Sequence, residues 1–171
     1  YRQAQRYLSK GMELLAIENY APAEKALLRS AQYAAEPLAA YLAAAQAAQA
    51  QQAIARAEDY LNLADNRQYR LTVQIARIRL WLATGQWEAA AARLKSIYPH
   101  DKKEPVINQL LLETLIKLQA WSDLLEWLPV LAKAPMADTI QQQALLKTAY
   151  QQCFAFIAKM TGRVDKINTF Q

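Results

Sequence analysis

The sequence predicts an all-α protein built from a regular array of helix pairs. A short turn, an aromatic residue and a small or apolar residue recur in Asn19-Tyr20-Ala21-Pro22-Ala23, Gly85-Gln86-Trp87-Glu88-Ala89-Ala90 and Ala120-Trp121-Ser122-Asp123-Leu124, with a weaker copy in Ile54-Ala55-Arg56-Ala57. The anchors Ala23, Ala57, Ala90 and Leu124 are spaced 34, 33 and 34 residues apart. A fixed period of this size marks a helical-repeat array. Composition agrees. The 171 residues are 54% hydrophobic with only 3 Gly, enough apolar surface for a core and too much for disorder. Ala, Leu and Gln dominate and lose little on entering a helix. β-Branched residues are sparse and alternate nowhere, so no strand is expected.

Nine helices follow in order, at 2–18, 20–34, 37–51, 53–65, 68–84, 86–98, 104–119, 121–133 and 137–160. Asn19 suits the N-cap of the second helix, and Pro22 falls in its first turn, where a missing N–H costs little. Pro37 opens the third helix. Asp65-Asn66 separates the fourth from the fifth. Gly85 ends the fifth as a C′ glycine does. Pro99 to Pro105, with His100, Asp101, Lys102 and Lys103, reads as a loop. Pro129 predicts a kink or early break in the eighth helix, and Pro135 a stop after it. The polar stretch 161–171 reads as a tail and the truncation point of a next repeat. Short loops make successive helices antiparallel.

The two-helix unit resembles the tetratricopeptide repeat, in which small residues let paired helices approach and large ones fill the groove to the next pair. That resemblance implies a right-handed α-α superhelix of about four pairs plus a C-terminal helix. The repeats fall near 4–35, 38–68, 70–101 and 104–135 within a domain over 1–160. Tyr7, Gly11, Ala23, Leu27 and Ser30 fill the pattern in the first unit. Tyr41, Ala44, Ala45, Ala48, Ala57, Leu61 and Ala64 fill it in the second. In the third, Trp81, Ala90, Leu94 and Ile97 fit, whereas Gln74, Arg77 and Ile78 do not. In the fourth, Leu111, Leu112, Leu115, Leu124, Leu128 and Leu131 replace the small residues with leucine. The first helix of each unit lines a concave groove in such arrays. In this register Leu8, Met12, Leu15, Leu42, Gln46, Gln49, Ile75, Arg79, Gln109 and Glu113 face it. Leu, Gln and Ile stand where carboxylate-clamping relatives carry Lys and Asn, which argues against a clamp for a C-terminal tail.

Charge alternates along the chain. Residues 66–103 hold eight Lys/Arg against two Asp/Glu, within a net charge of +5 overall. Arg67, Arg70, Arg77 and Arg79 form a candidate basic patch for an acidic partner, RNA or anionic lipid, against the plainer reading of a solvated face. Arg70 and Arg77 share a helix face; Arg79 points elsewhere. Trp81, Trp87, Trp121 and Trp127 suggest base stacking, but three of them fall on or near repeat-packing positions, which favours packing over nucleic acid.

Motifs of catalysis are missing. His100 is the one histidine, with no Cys or second His to complete a zinc or general-base site. Direct haem or porphyrin binding through His100 or a Tyr beside a basic patch stays open as an alternative. Cys153, among Phe154, Phe156 and Ile157, reads as a small core residue, and a single cysteine excludes an internal disulfide. No Cys-x-x-Cys-His and no phosphate-binding Gly-Lys motif occurs. The residues therefore point to a non-enzymatic interaction module without cofactor. No stretch reaches the length of a membrane helix. A first residue that is Tyr1 rather than Met suggests an excised fragment.

A more specific likeness lies in Leu8-Ser9-Lys10-Gly11-Met12-Glu13-Leu14-Leu15, Asn19-Tyr20, Ala23-Glu24-Lys25 and the run Pro37-Leu38-Ala39-Ala40-Tyr41-Leu42-Ala43-Ala44-Ala45-Gln46-Ala47-Ala48-Gln49. Together these resemble the first repeats of the HemY family, proteobacterial inner-membrane tetratricopeptide proteins linked to haem synthesis. Arg77-Ile78-Arg79-Leu80, Tyr98-Pro99-His100 and Trp121-Ser122-Asp123-Leu124-Leu125-Glu126 with Pro129 continue the likeness to about Tyr150. The resemblance implies two membrane helices upstream, then a basic segment to which Arg2, Arg6 and Lys10 would form the tail, repeats facing the bacterial cytoplasm, and late haem-pathway enzymes as protein partners. An unrelated flavin-dependent oxidase shares the family's name. Gly11, Gly85 and Gly162 supply no Gly-x-Gly-x-x-Gly for its cofactor.

Overall fold

The computed structural model describes the backbone of residues 1–65 and 71–169, and side chains to Arg163. Among these residues the chain is all-α. The helices are α1 (Arg2–Ala16), α2 (Tyr20–Tyr33), α3 (Leu38–Ala50), α4 (Ile54–Ala64), α5 (Leu71–Ala83), α6 (Trp87–Asp101), α7 (Pro105–Lys117), α8 (Trp121–Leu131) and α9 (Thr139–Thr169). They form two units, Tyr1–Leu80 and Trp81–Gln171. Within each unit, neighbours in sequence pack on each other: α1 on α2, α2 on α3 and α3 on α4 in the first, α6 on α7, α7 on α8 and α8 on α9 in the second.

The period of the sequence reappears in the backbone. Glu18 (φ 62°), Gln52 (φ 64°), Gly85 (φ 79°) and Gln119 (φ 54°) adopt the left-handed conformation. Their spacings are again 34, 33 and 34. Each is the C′ residue of a Schellman turn. The next amide donates to the carbonyl five residues back: Asn19 to Leu14 (2.9 Å), Ala53 to Ala48 (2.9 Å), Gln86 to Trp81 (2.8 Å) and Ala120 to Leu115 (3.1 Å). The same four residues then open the following helix, accepting from the anchors Ala23 (3.1 Å), Ala57 (3.0 Å), Ala90 (3.1 Å) and Leu124 (2.8 Å). Asn19 thus occupies the expected N-cap, but its side chain makes no capping bond.

In the first unit small residues bring helices close. Gly11 of α1 meets Leu27 of α2, where a Cβ would stand 2.6 Å from Leu27 Cγ and Cδ2. Ser30 Oγ donates to Ala4 O at 2.7 Å across the same pair. α3 is buried around much of its circumference through Ala40, Ala43, Ala44, Ala45, Ala47 and Ala48. One side of it joins Leu27, with Leu8, Leu15, Leu28 and Tyr60 packed around. The other side, Ala45 and Ala48, joins Ala57, Leu61 and Leu80. In the second unit the buried set is larger in side chain: Leu94, Ile107, Leu111, Leu112, Leu115, Leu124 and Leu131. Buried Asn108 donates to Lys102 O (2.9 Å) and Pro135 O (3.0 Å), tying together the loops on either side of α7 and α8.

Two expectations at helix ends need correction. The loop expected from Pro99 does not begin there, because α6 continues through Pro99 to Asp101. Packing on both sides carries the helix past the proline: Ile97 and Asp101 are buried, and Tyr98 meets Trp127 edge-on at 4.8 Å. α8 keeps Pro129 inside it and ends at Leu131, earlier than the expected 133, with Leu128 and Leu131 buried on its inner face. α9 runs on to Thr169 instead of stopping at 160. No proline follows, and Gly162 alone costs a helix only about 1 kcal/mol. The start of α9 is set by Asp138, whose Oδ1 accepts from the amides of Ile140 and Gln141 at 3.0 Å each.

The two structural glycines give separable predictions. Gly11→Ala is expected to lower stability by about 1–3 kcal/mol in urea unfolding, despite a better helix former, because the methyl overpacks Leu27. In a Leu27→Ala background the same change is expected to be neutral or stabilising. At Gly85 an added Cβ meets nothing within 4 Å, so Gly85→Ala is expected to cost about 1 kcal/mol through backbone conformation alone.

Candidate functional site

α3, α4 and α5 enclose an open cleft of about 350 Å³ in the first unit. Leu42, Ala45, Ala57, Leu61, Ala76 and Leu80 give it an apolar floor; Gln46, Gln49, Thr72 and Arg79 bring the polar groups. This volume is at the small end of ligand-binding clefts. Helical spacing explains the lining. Leu42, Gln46 and Gln49 follow one another on a face of α3, and Thr72, Ile75 and Arg79 do so on α5. Five of the ten groove residues expected from the repeat register, Leu42, Gln46, Gln49, Ile75 and Arg79, therefore meet here.

The other five lie elsewhere. Leu8 lines a second cleft, with Tyr1 just before α1, Ala4 and Gln5 of α1, and Ala39 and Ala40 of α3. Leu8 and Leu15 also pack against Leu27, Ala43 and Ala44. Met12 is exposed. Gln109 and Glu113 of α7 are bonded within the second unit. Gln109 Nε2 donates to Glu113 Oε1 (3.1 Å) and Gln141 Oε1 (2.9 Å), Gln141 Nε2 donates to Glu113 Oε1 (3.1 Å), and the Asp138 amide donates to Gln109 Oε1 (3.0 Å).

The candidate basic patch divides. Arg67 and Arg70 lie outside the described residues. Arg77 reaches back to the end of α4, donating through Nη1 to Asn62 Oδ1 at 2.9 Å with Nη2 3.8 Å from Asp65 Oδ2. Arg79 is exposed on the cleft.

A cluster that the sequence reading missed holds α4 in place. Glu24 of α2 is buried, and its carboxylate accepts from Arg56 Nε (2.9 Å) and Nη2 (3.1 Å), Tyr60 OH (2.7 Å) and Gln51 Nε2 (2.7 Å). Arg56 and Tyr60 precede the floor residues Ala57 and Leu61 by one position each, so the clamp that fixes one face of α4 orients the other. Burial pushes the Glu24 carboxyl up, but the bonds from Arg56, Tyr60 and Gln51 outweigh it and leave it below the ordinary 4.5. Burial, then the bond to Glu24, pushes the Tyr60 phenol up to about 12. The readable signal was an Arg and a Tyr four apart on α4, roughly one period beyond a Glu beside the anchor Ala23.

The reactive candidates sit in plain surroundings. His100 is exposed on α6, with Nδ1 3.1 Å from Asp101 Oδ1. Cys153 is buried, its Sγ 4.0 Å from Trp121 O, and burial pushes its thiol up. Trp faces are occupied from within: Arg93 lies 5.6 Å from the Trp81 ring centre and Lys117 Nζ 4.7 Å from that of Trp87. Among the described residues no group of three or more His, Cys, Asp or Glu is placed to hold a metal ion. No helix among them is long and apolar enough to cross a membrane.

Glu24→Gln is expected to lower stability by about 1–2 kcal/mol at neutral pH; half-exposed Arg56 can turn to water, which limits the loss. A carboxyl held below its unfolded value stabilises above that value and loses the contribution as pH falls through the folded one. The gap between the parent chain and Glu24→Gln in urea should therefore close below about pH 4.5. The phenol of Tyr60 should titrate below 12 in the variant, read by ultraviolet difference absorbance.

Residues 1–52 match the family model described as HemY protein N-terminus. The protein named HemY from Escherichia coli strain K12 is 31% identical over 153 residues, which cover 87% of this chain and 38% of that protein. The HemY proteins of Escherichia coli O157:H7 and Shigella flexneri match with the same identity and coverage. The chain thus spans well under half the length of these curated relatives. No solved structure matches it.

Proposed function

Because the chain belongs to the HemY family and corresponds to its N-terminal region, we propose that it is a non-enzymatic docking module for other proteins, with the α3–α4–α5 cleft as its binding place. The observation that carries this reading is the cleft itself. An apolar floor would desolvate a partner side chain, while Gln46, Gln49 and Thr72 offer both donors and acceptors to its backbone. Those are the needs of a peptide segment, extended or helical. The four Schellman turns at the sequence period support division into tetratricopeptide-like repeats near 4–35, 38–68, 70–101 and 104–135. The family further suggests membrane tethering through segments outside this chain, a cytoplasmic face, and haem-pathway enzymes among the partners.

A photo-crosslinking amino acid placed at Gln46 or Thr72 of the full-length protein in cells is expected to yield discrete protein adducts. The same group at exposed Glu126 on α8 serves as the control. Equal adduct patterns at all three positions, or adducts to lipid alone, would remove the docking reading.

A further inference from the structure

We infer that the cleft selects an acidic peptide segment, in which an Asp or Glu side chain pairs with Arg79 while an adjoining aliphatic or aromatic side chain enters the floor. The inference rests on the docking reading above and specifies the chemistry of what docks. Its basis is an imbalance of charge. Arg79 brings a guanidinium to the cleft, and no carboxylate is among the described lining residues. Arg79 makes no hydrogen bond or ion pair with any described residue, unlike its neighbour Arg77, which is committed to Asn62 and Asp65.

A guanidinium beside an apolar surface is less well hydrated than one in open water, and its fork matches a carboxylate in two parallel hydrogen bonds. Ile75, one turn before Arg79 on α5, and Leu42 on α3 provide that apolar surface. A ligand that filled the floor without bringing a negative charge would leave Arg79 partly desolvated and unpaired, which costs affinity. A basic ligand would meet it directly. Selection therefore works in both directions: the carboxylate gains a partner, and neutral or cationic segments are penalised. The amides of Gln46 and Gln49 are neutral, so they bind backbone without weakening this preference. Arg79 is the one cation among the described lining residues, so that lining matches one acidic side chain.

The test is selection of a phage-displayed library of random dodecapeptides on the full chain, on Arg79→Glu, and on Lys102→Glu as a charge-matched control at an exposed position outside the cleft. Circular dichroism melts establish that each variant is folded. Peptides enriched on the parent chain are expected to share an Asp or Glu next to Leu, Ile or Phe. As synthetic C-terminal amides they should bind Arg79→Glu about five- to ten-fold more weakly and Lys102→Glu unchanged. Selection on Arg79→Glu should replace the acid with Lys or Arg at the same position. Enriched peptides without an acid, but lost on Ile75→Glu, would overturn the charge inference and leave the docking reading standing. Peptides indifferent to both Arg79→Glu and Ile75→Glu, or no enrichment, would overturn both.

Discussion

The turn that joins the two helices of a pair is the constraint on which the rest depends. A helix end leaves carbonyls without partners, and a chain that must reverse direction in so few residues has few ways to satisfy them. Here the same solution is used at Glu18, Gln52, Gly85 and Gln119. A left-handed residue aims the next amide at the carbonyl five back, and that next residue immediately caps the following helix. The return angle is thereby set by hydrogen bonds within the turn itself. The anchor that follows, Ala23, Ala57, Ala90 or Leu124, is fully buried in every case. Local backbone chemistry thus determines which side chain becomes core. Three of the four left-handed positions carry Glu or Gln and accept a cost of roughly 1–2 kcal/mol each. That cost is tolerable because the pairs they close bury extensive apolar surface.

Around this scaffold the first unit is assembled from small contacts and one strong polar one. Gly11 against Leu27 and the alanines of α3 permit close approach, but alanine buries little area per residue. Glu24 compensates in a different currency. Its four accepted hydrogen bonds reach from α2 to the end of α3 and to α4. Removing a carboxylate from water is expensive unless its oxygens are satisfied, and here they are. The directionality of those bonds matters as much as their strength. Alanine faces slide easily on each other; a carboxylate held by a bidentate guanidinium and a phenol does not. The position of Ala57 and Leu61 under the cleft follows from that fixity.

Legibility in the sequence tracked how local each cause was. The turn positions and anchors were readable because the period is a property of adjacent residues, and Gly85 as a C′ glycine was readable for the same reason. Helix continuation through Pro99 was not, since proline chemistry predicts a break and only distant packing of Ile97, Tyr98 and Asp101 reverses it. The cleft was half legible. Register assigns a face to each residue of a helix, so Leu42, Gln46, Gln49, Ile75 and Arg79 could be grouped. Register does not say which polar groups find partners inside the fold. Glu24 with Arg56 and Tyr60 spans more than 30 residues, and no spacing rule pairs them uniquely.

The contrast between the two units shows why equivalent register positions need not share a function. Gln109 and Glu113 on α7 occupy the register places of Leu42 and Gln46 on α3. Both are consumed by the start of α9, where Asp138 caps the helix and Gln141 bridges the pair. A ligand there would have to break existing bonds before making its own, so little net affinity remains. On α3 and α5 the amides and Arg79 stand beside an apolar floor with no such helix laid across them among the described residues. Binding capacity thus follows less from the repeat pattern than from which polar groups the chain has left uncommitted. By that criterion the region around Arg79 is where a docked segment gains most for the bonds it forms.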